Sequence, residues 1–150
     1  MSETIRAHLS RRNLGYLLAR ALARWNERLY AGFCAAGHPE IRPAYGAILV
    51  PLFEEDGLRM NELARRAGSS KQTMTTMVRE LERRGLVARR PDLEDARAAR
   101  VHLTPAAKRF RPKAEAVLAS LERWVAKLAT AEETAAARAW LSAIAKLDRK

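Results

Sequence analysis

The sequence predicts a mainly α-helical chain that carries one small antiparallel β wing. Three observations lead to that class. Apolar residues recur at helical spacing along most of the segments before residue 59 and after residue 104. Between those limits, two short helical patterns are separated by Gly68, and two basic runs that follow Gly85 read as strands flanking a polar loop. The third observation is charge. The net charge is +11 and the pI about 10.8, spread along the 150 residues rather than gathered in a tail. A balance this basic favours a polyanionic partner, either nucleic acid or an anionic membrane surface.

Residues from about Thr4 to Ala36 read as one long helix. Leu14, Leu18, Ala21, Leu22, Trp25, Leu29 and Phe33 form its apolar stripe. The stripe is long for a chain of this size and reads as core plus partner surface. Arg6, Arg11, Arg12, Arg20 and Arg24 decorate the outer faces as solvated charge, with contact to flanking phosphates as the sharper alternative. Gly37-His38-Pro39 breaks the helix, and Pro43 fits the first position of a second one. Tyr45, Ile48, Leu49, Leu52 and Phe53 are its expected buried face. Pro51 is expected to remove one hydrogen bond or bend the last turn. Glu54-Glu55-Asp56-Gly57 is an exit turn, and Leu58 adds a brief strand.

Leu63, Ala64 and Ala67 give the next helix one narrow apolar face, ended by Gly68. Ser69 and Gln72 have capping-box spacing, which starts the following helix at Ser70. Met74, Met77, Val78 and Leu81 face the core. The opposite side carries Gln72, Thr76, Arg79 and Arg83, flanked by Thr73 and Thr75. Gln suits adenine, Arg suits guanine, and Thr methyls suit thymine methyls. Ser69, Ser70 and the helix N-terminus, with Lys71 beside them, suit a phosphate oxygen. Such residues are common on any solvated helix face. What sharpens the reading is the order: short helix, Gly turn, serine cap, second helix, then a wing.

The wing follows Gly85. Leu86 to Arg90 reads as one strand and Ala99 to Leu103 as its partner, with Val101 and Leu103 on one face and Arg100 and His102 on the other. Arg97, near the tip of the intervening loop, suits the negative potential of a minor groove. Asp95 is its expected brace, and Arg89, Arg90 and Arg100 are expected to add phosphate and minor-groove contacts. The three acids of the loop make best sense as internal braces. The whole arrangement is a winged helix-turn-helix, which places its second helix in a DNA groove.

After the wing, Thr104-Pro105 starts a helix that runs to about Leu128, with Val117, Leu118, Leu121, Trp124, Val125 and Leu128 on one face. Pro112 predicts a kink or a ragged first turn. Thr130 and Glu133 form a capping box for the last helix, which carries Ala137, Trp140, Leu141, Ile144 and Leu147. The first and last helices would expose much of their stripes in a lone chain. That predicts an obligate homodimer.

Several of these pieces together resemble the MarR family of bacterial transcriptional regulators. They are Glu62-Leu63-Ala64, Ser70-Lys71-Gln72-Thr73, Leu81-Glu82-Arg83-Arg84-Gly85-Leu86-Val87, Asp95-Ala96-Arg97 and Val101-His102-Leu103-Thr104-Pro105, in the family's order and spacing. The resemblance implies a triangular homodimer with interleaved outer helices. It implies that Arg97, in the family's Asp-x-Arg element, reaches DNA with Asp95 bracing it. It also implies that a small, often phenolic, effector binds between the dimer and DNA-binding regions. Trp25, Tyr30, Tyr45 and Phe53 border that cleft by family layout and are the candidate effector pocket; on core faces such aromatics need no ligand. Two positions depart from the family: Arg59 stands where a Thr or similar cap is usual, and Ala107 where a Gly is usual. Neither change removes a functional group.

The domain reading is therefore a single unit over 1–150, with residues 1–36 and 105–150 as dimerisation helices and 43–104 as the DNA-binding region. The expected partner is double-stranded DNA, read by a homodimeric regulator, a repressor, at a near-palindromic operator. A sequence-indifferent architectural DNA binder and a winged-helix protein-interaction module are the alternatives. Neither an enzyme nor a cofactor is indicated. There is no His-x-x-x-His, no Gly-rich phosphate loop and no Gly-x-Ser-x-Gly, and His8, His38 and His102 stand apart in sequence, so no metal site is expected. The longest mostly apolar run, Ala44 to Phe53, is too short for a bilayer, and Met1 to Leu14 has no apolar core of a signal peptide, so a cytoplasmic location is expected. The one cysteine excludes an internal disulfide. Cys34 is read as a small buried thiol, with a redox sensor as the alternative.

Overall fold

The computed structural model describes residues 8–147. Among them, six helices and a three-stranded antiparallel sheet follow one another in the order α1 (Leu14–Ala35), α2 (Gly46–Glu54), β1 (Leu58–Arg59), α3 (Met60–Arg66), α4 (Lys71–Arg83), β2 (Val87–Pro91), β3 (Ala99–Leu103), α5 (Pro105–Ala126) and α6 (Ala131–Ala145). This is the mainly helical, winged class expected. No described helix is long and apolar enough to cross a membrane.

Among the described residues the expected single long helix is interrupted from Leu9 to Asn13, and α1 starts at Leu14. Asn13 accepts the Tyr16 N–H at 3.3 Å, donates its side-chain amide to the His8 carbonyl at 2.7 Å and its backbone N–H to the Ser10 carbonyl at 2.9 Å. An asparagine that bonds its own neighbourhood competes with the helix ladder and favours a cap. The part of the expected helix from Thr4 to Ala7 lies outside the described residues, as does Arg6. Of the stripe, only Leu29 and Phe33 are buried; Trp25 is half-buried, and Leu14 and Leu22 are exposed. Cys34 is exposed rather than buried, because it follows Phe33 around the helix and leaves the packed face.

The second helical segment opens with a 3-10 turn, Pro43–Tyr45, and continues as α2 past Pro51 without a break. Pro51 is itself buried, and its carbonyl still accepts the Glu55 N–H at 2.9 Å. The helix-turn-helix then depends on two glycines in the left-handed region, Gly68 at φ 61° and Gly85 at φ 71°. Each ends a helix and lets the next N–H reach back: Ser69 to the Ala64 carbonyl at 3.0 Å, Leu86 to the Leu81 carbonyl at 2.9 Å. A β-carbon at either position would be strained.

The sheet runs in the order β1-β3-β2, with Leu58 opposite Val101 and Val87 opposite Leu103. The pleat therefore sends Leu58, Val87, Val101 and Leu103 into the core and leaves Arg100 and His102 on the other face. One core serves the whole centre of the chain: Ile41, Ile48, Leu52, Leu63, Met74, Val78, Leu81, Val101 and Phe110 are all at most 2% exposed. Each such large side chain contributes about 1.5–3 kcal/mol by its removal from water. Phe33 and Phe110 meet edge to face at 5.1 Å and join α1 to α5.

Thr104 caps α5 by accepting the Ala107 N–H at 3.3 Å, with Pro105 in the first turn. The helix continues past Pro112 to Ala126 without interruption. It ends at Ala126, and Leu128 is exposed instead of closing its apolar face. The capping box of α6 is present: Thr130 Oγ1 accepts the Glu133 N–H at 3.2 Å, and Glu133 accepts the Thr130 N–H at 2.8 Å. α6 buries none of its own residues, although an ion pair from Arg138 to Glu122 (2.9 Å) ties it to α5.

Candidate nucleic-acid interface

The site is built around α4. Its inner face, Met74, Val78 and Leu81, is sealed against the core at 0% exposure, with Met77 partly buried beside them. The sealed face fixes how the helix is rolled, so the opposite face must point outward. There Lys71, Gln72, Thr73, Thr76, Arg79 and Arg83 are exposed, while Thr75 and Ser69 are half-buried.

The cap falls one residue later than the sequence spacing suggested. Ser70, not Ser69, accepts the Thr73 N–H, at 3.1 Å, and its hydroxyl donates to Thr73 Oγ1 at 2.8 Å. Ser69 is already committed by its backbone to closing the Gly68 turn, so the Ser69–Gln72 box does not form and Gln72 stays free. Thr75 and Thr76 donate their hydroxyls to the Lys71 and Gln72 carbonyls at 2.8 and 3.2 Å. Their methyls, not their hydroxyls, are what remain for an outside partner.

The basic residues divide into free and braced groups. Lys71 and Arg79 on α4, and Arg90 on β2, make no ion pair or side-chain hydrogen bond among the described residues. Arg83 and Arg84 are both drawn onto Glu80, Arg84 at 2.9 Å, and Tyr45 donates its hydroxyl to the same carboxylate at 3.4 Å. Those guanidinium contacts, Arg84 first, hold Glu80 below its ordinary pKa. Arg89 is held by Glu82 through Nε at 2.8 Å and a second guanidinium nitrogen at 3.1 Å. That pairing lowers the Glu82 pKa. Arg100 donates Nε to Asp92 at 2.7 Å and a second nitrogen to the Gly57 carbonyl at 2.8 Å. Arg89 and Arg100, expected to reach phosphate, thus each have internal partners while staying partly exposed.

In the wing loop, Arg97 projects into solvent at 95% side-chain exposure. Asp95 accepts the Arg97 backbone N–H at 3.0 Å and approaches its Nε at 3.5 Å. Asp92, one of the three loop acids expected as internal braces, is the one that is buried, and what sequence reasoning missed is its partners. Its side chain is 1% exposed and accepts from four donors: Arg59 Nε and Arg100 Nε, both at 2.7 Å, and the backbone N–H groups of Glu94 at 2.8 Å and Asp95 at 3.3 Å. Arg59 foremost, then the Glu94 N–H, keeps the Asp92 carboxyl well below the usual carboxylate range. An Asp at the start of a loop, whose side chain can accept the N–H two residues on, is an Asx-turn signal that could have marked the turn.

Each of the four aromatics of the expected effector pocket makes its own contact within the chain. Tyr45 is buried with its hydroxyl toward Glu80, Tyr30 donates to the Pro39 carbonyl at 3.0 Å, Phe53 lies 5.6 Å from the Arg111 guanidinium, and Trp25 packs at the edge of the core. A cleft of about 630 Å³ lies elsewhere, between the α1–α2 connection, the end of α4 and the first turns of α5. Ile41, Leu86 and Phe110 form its apolar wall, and Arg84, Arg109 and Lys113 its cationic side. Among the described residues no group of three or more His, Cys, Asp or Glu side chains could hold a metal ion.

The sequence profile of the MarR family matches residues 43–99, the span from the start of the second helical segment to the second wing strand. No curated protein matches the sequence. Solved structures do. CouR of Rhodococcus jostii RHA1, a transcriptional repressor solved on a 23-mer DNA duplex, is 26% identical at a TM-score of 0.76, over 89% of this chain and 92% of that one. A Mycobacterium tuberculosis MarR family protein in complex with salicylic acid is 30% identical at a TM-score of 0.60, over 87% of this chain and 95% of that one.

Proposed function

This chain belongs to the MarR family of transcriptional regulators, and from that premise we propose that it is a homodimeric repressor of a near-palindromic operator. Each subunit lays α4 in the major groove, with Gln72, Thr76 and Arg79 toward base edges and Ser69, Ser70, Lys71 and Thr73 toward phosphate. Arg90 and Arg97 of the wing meet the backbone and minor groove. Residues 43–104 are the DNA-binding region, and 1–36 with 105–150 pair the two copies. The observation that carries this reading is the α4 face itself: polar, exposed and largely unpaired, directly opposite a sealed apolar face. CouR bound to duplex DNA supports it by likeness.

The test is selection of bound sequences from a random duplex pool at moderate salt. A palindrome with half-sites about one helical turn apart is expected. Salt-sensitive binding without a recovered motif would favour an architectural role instead.

A second part of the proposal is release by a small aromatic acid. Its support is the cleft beside Arg84, which joins an apolar wall to cations at the end of α4, and the relative that holds salicylic acid. Salicylate should weaken operator binding of the wild-type chain but not of an Arg109→Glu variant. Equal weakening of both would place the ligand elsewhere.

A further inference from the structure

We propose that Asp92 is a positioning residue for DNA binding: it fixes the wing, and Arg97 at its tip, at a set angle to α4. The inference rests on the DNA-binding reading above and adds a part to it.

A wing made only of β2, β3 and their loop is a two-stranded ribbon, and such ribbons twist and bend easily. Here the root of the loop is fastened from outside the ribbon. Asp92 takes one guanidinium from Arg100 on β3 and one from Arg59 on β1, both at 2.7 Å. Arg59 also precedes α3 as its N-terminal cap residue, and Arg100 reaches onward to the Gly57 carbonyl at 2.8 Å. Three points are therefore tied to one buried carboxylate: the turn before β1, the entry to α3 and the root of the wing. Because α3 packs Leu63 and Ala64 into the core that seals α4, the tie refers the wing to the recognition helix. The same carboxylate accepts the Glu94 and Asp95 N–H groups, so it also shapes the loop that presents Arg97. Neither guanidinium is fully enclosed, at 37% and 38% side-chain exposure. Removing the carboxylate would let both arms swing to solvent rather than strand them.

Two measurements on the full-length chain test this. The first needs no DNA. Trypsin cleavage after Arg97 should quicken on the order of tenfold in Asp92→Asn as the loop opens locally, while the thermal midpoint of the core changes little. Arg59→Gln, which removes one arm from the exposed side, should show the same effect more weakly and guards against misfolding of the first variant. The second measures operator affinity against salt. Arg97→Ala should lower the salt slope by about 2 for the two wings of a dimer, and Asp92→Asn should lower it by a similar amount. The double variant should be no worse than either single one, since both remove the same contact. Additive losses, or an unchanged slope with unchanged cleavage, would overturn the proposal. A wild-type chain that binds no DNA would defeat the functional reading, and the cleavage result would still decide whether Asp92 holds the wing.

Discussion

The centre of the chain and its outer helices carry the same kind of apolar stripe and meet opposite fates. Leu81, on α4, is 0% exposed and shares a core with α2, α3, the sheet and α5. Leu141, on α6, is 48% exposed, and Trp140, Leu128, Leu147 and the Leu14, Leu17 and Leu22 positions of α1 are likewise open. Helical periodicity marks a face that needs cover; it does not say what covers it. At the centre the cover is the chain itself. At the ends no described part of the chain supplies it, and large apolar residues exposed in such number are what an interaction face would use. Charge follows the same division. The centre has most of the carboxylates drawn below their ordinary pKa, namely Glu62, Glu80, Glu82 and Asp92, while the outer helices have Glu133 at its capping box.

The comparison can be broken at either end. Leu81→Ala should destabilise the chain by about 2–5 kcal/mol in urea unfolding, because a sealed site leaves a cavity. It should leave the sedimentation mass unchanged. Trp140→Asp with Leu141→Asp should do the reverse: the mass at micromolar concentration falls to that of one chain while the far-ultraviolet helix signal is largely kept. Operator affinity should then drop by about 100-fold or more, since two half-sites are no longer linked. A double variant that stays at the parent mass, or a dissociated one that binds the operator unchanged, would remove the assignment of the outer helices to a partner copy.

The contrast also explains which features were legible in the sequence. Signals confined to a few neighbouring residues read correctly. Thr104-Pro105 and Thr130 with Glu133 start helices, and Gly68 and Gly85 end them, because cap and turn chemistry is complete within one turn. Adjacent serines left the α4 cap ambiguous by one residue; backbone closure of the Gly68 turn, which no spacing rule contains, chose Ser70. The Asp92 clamp was hidden for a different reason. Its arginines lie 33 and 8 residues away, and they meet only once β1 has paired with β3 in the register that sets Arg59 opposite Arg100. The pairing of Arg89 with Glu82 was hidden in a similar way, because Glu82 sits across the Gly85 turn. The aromatics carry no such local signal, because a helix face that suits a ligand and one that suits a core have the same spacing.

The smallest expected effect sharpens the electrostatic half of the comparison. Glu62, on α3, accepts from Arg65 at 2.6 and 2.9 Å and from Arg66 at 2.8 Å, and these contacts lower its pKa from 4.5 to about 2. A carboxylate whose folded pKa is depressed favours the folded state above its unfolded value, and that contribution fades as pH falls through the folded value. The window here is pH 4.5 down to about 2. Both arginines reach solvent and water screens the pair, so the effect should be small. Glu62→Gln should therefore lower the urea midpoint slightly at pH 6, and the gap to the parent chain should close as the pH approaches 2. Thr104→Ala at the start of α5 should show a pH-insensitive loss across most of that range, because the hydroxyl it removes does not titrate and bonds only backbone groups. An equal pH dependence in both variants would mean that the charge pairing of the centre does not distinguish it from the outer helices.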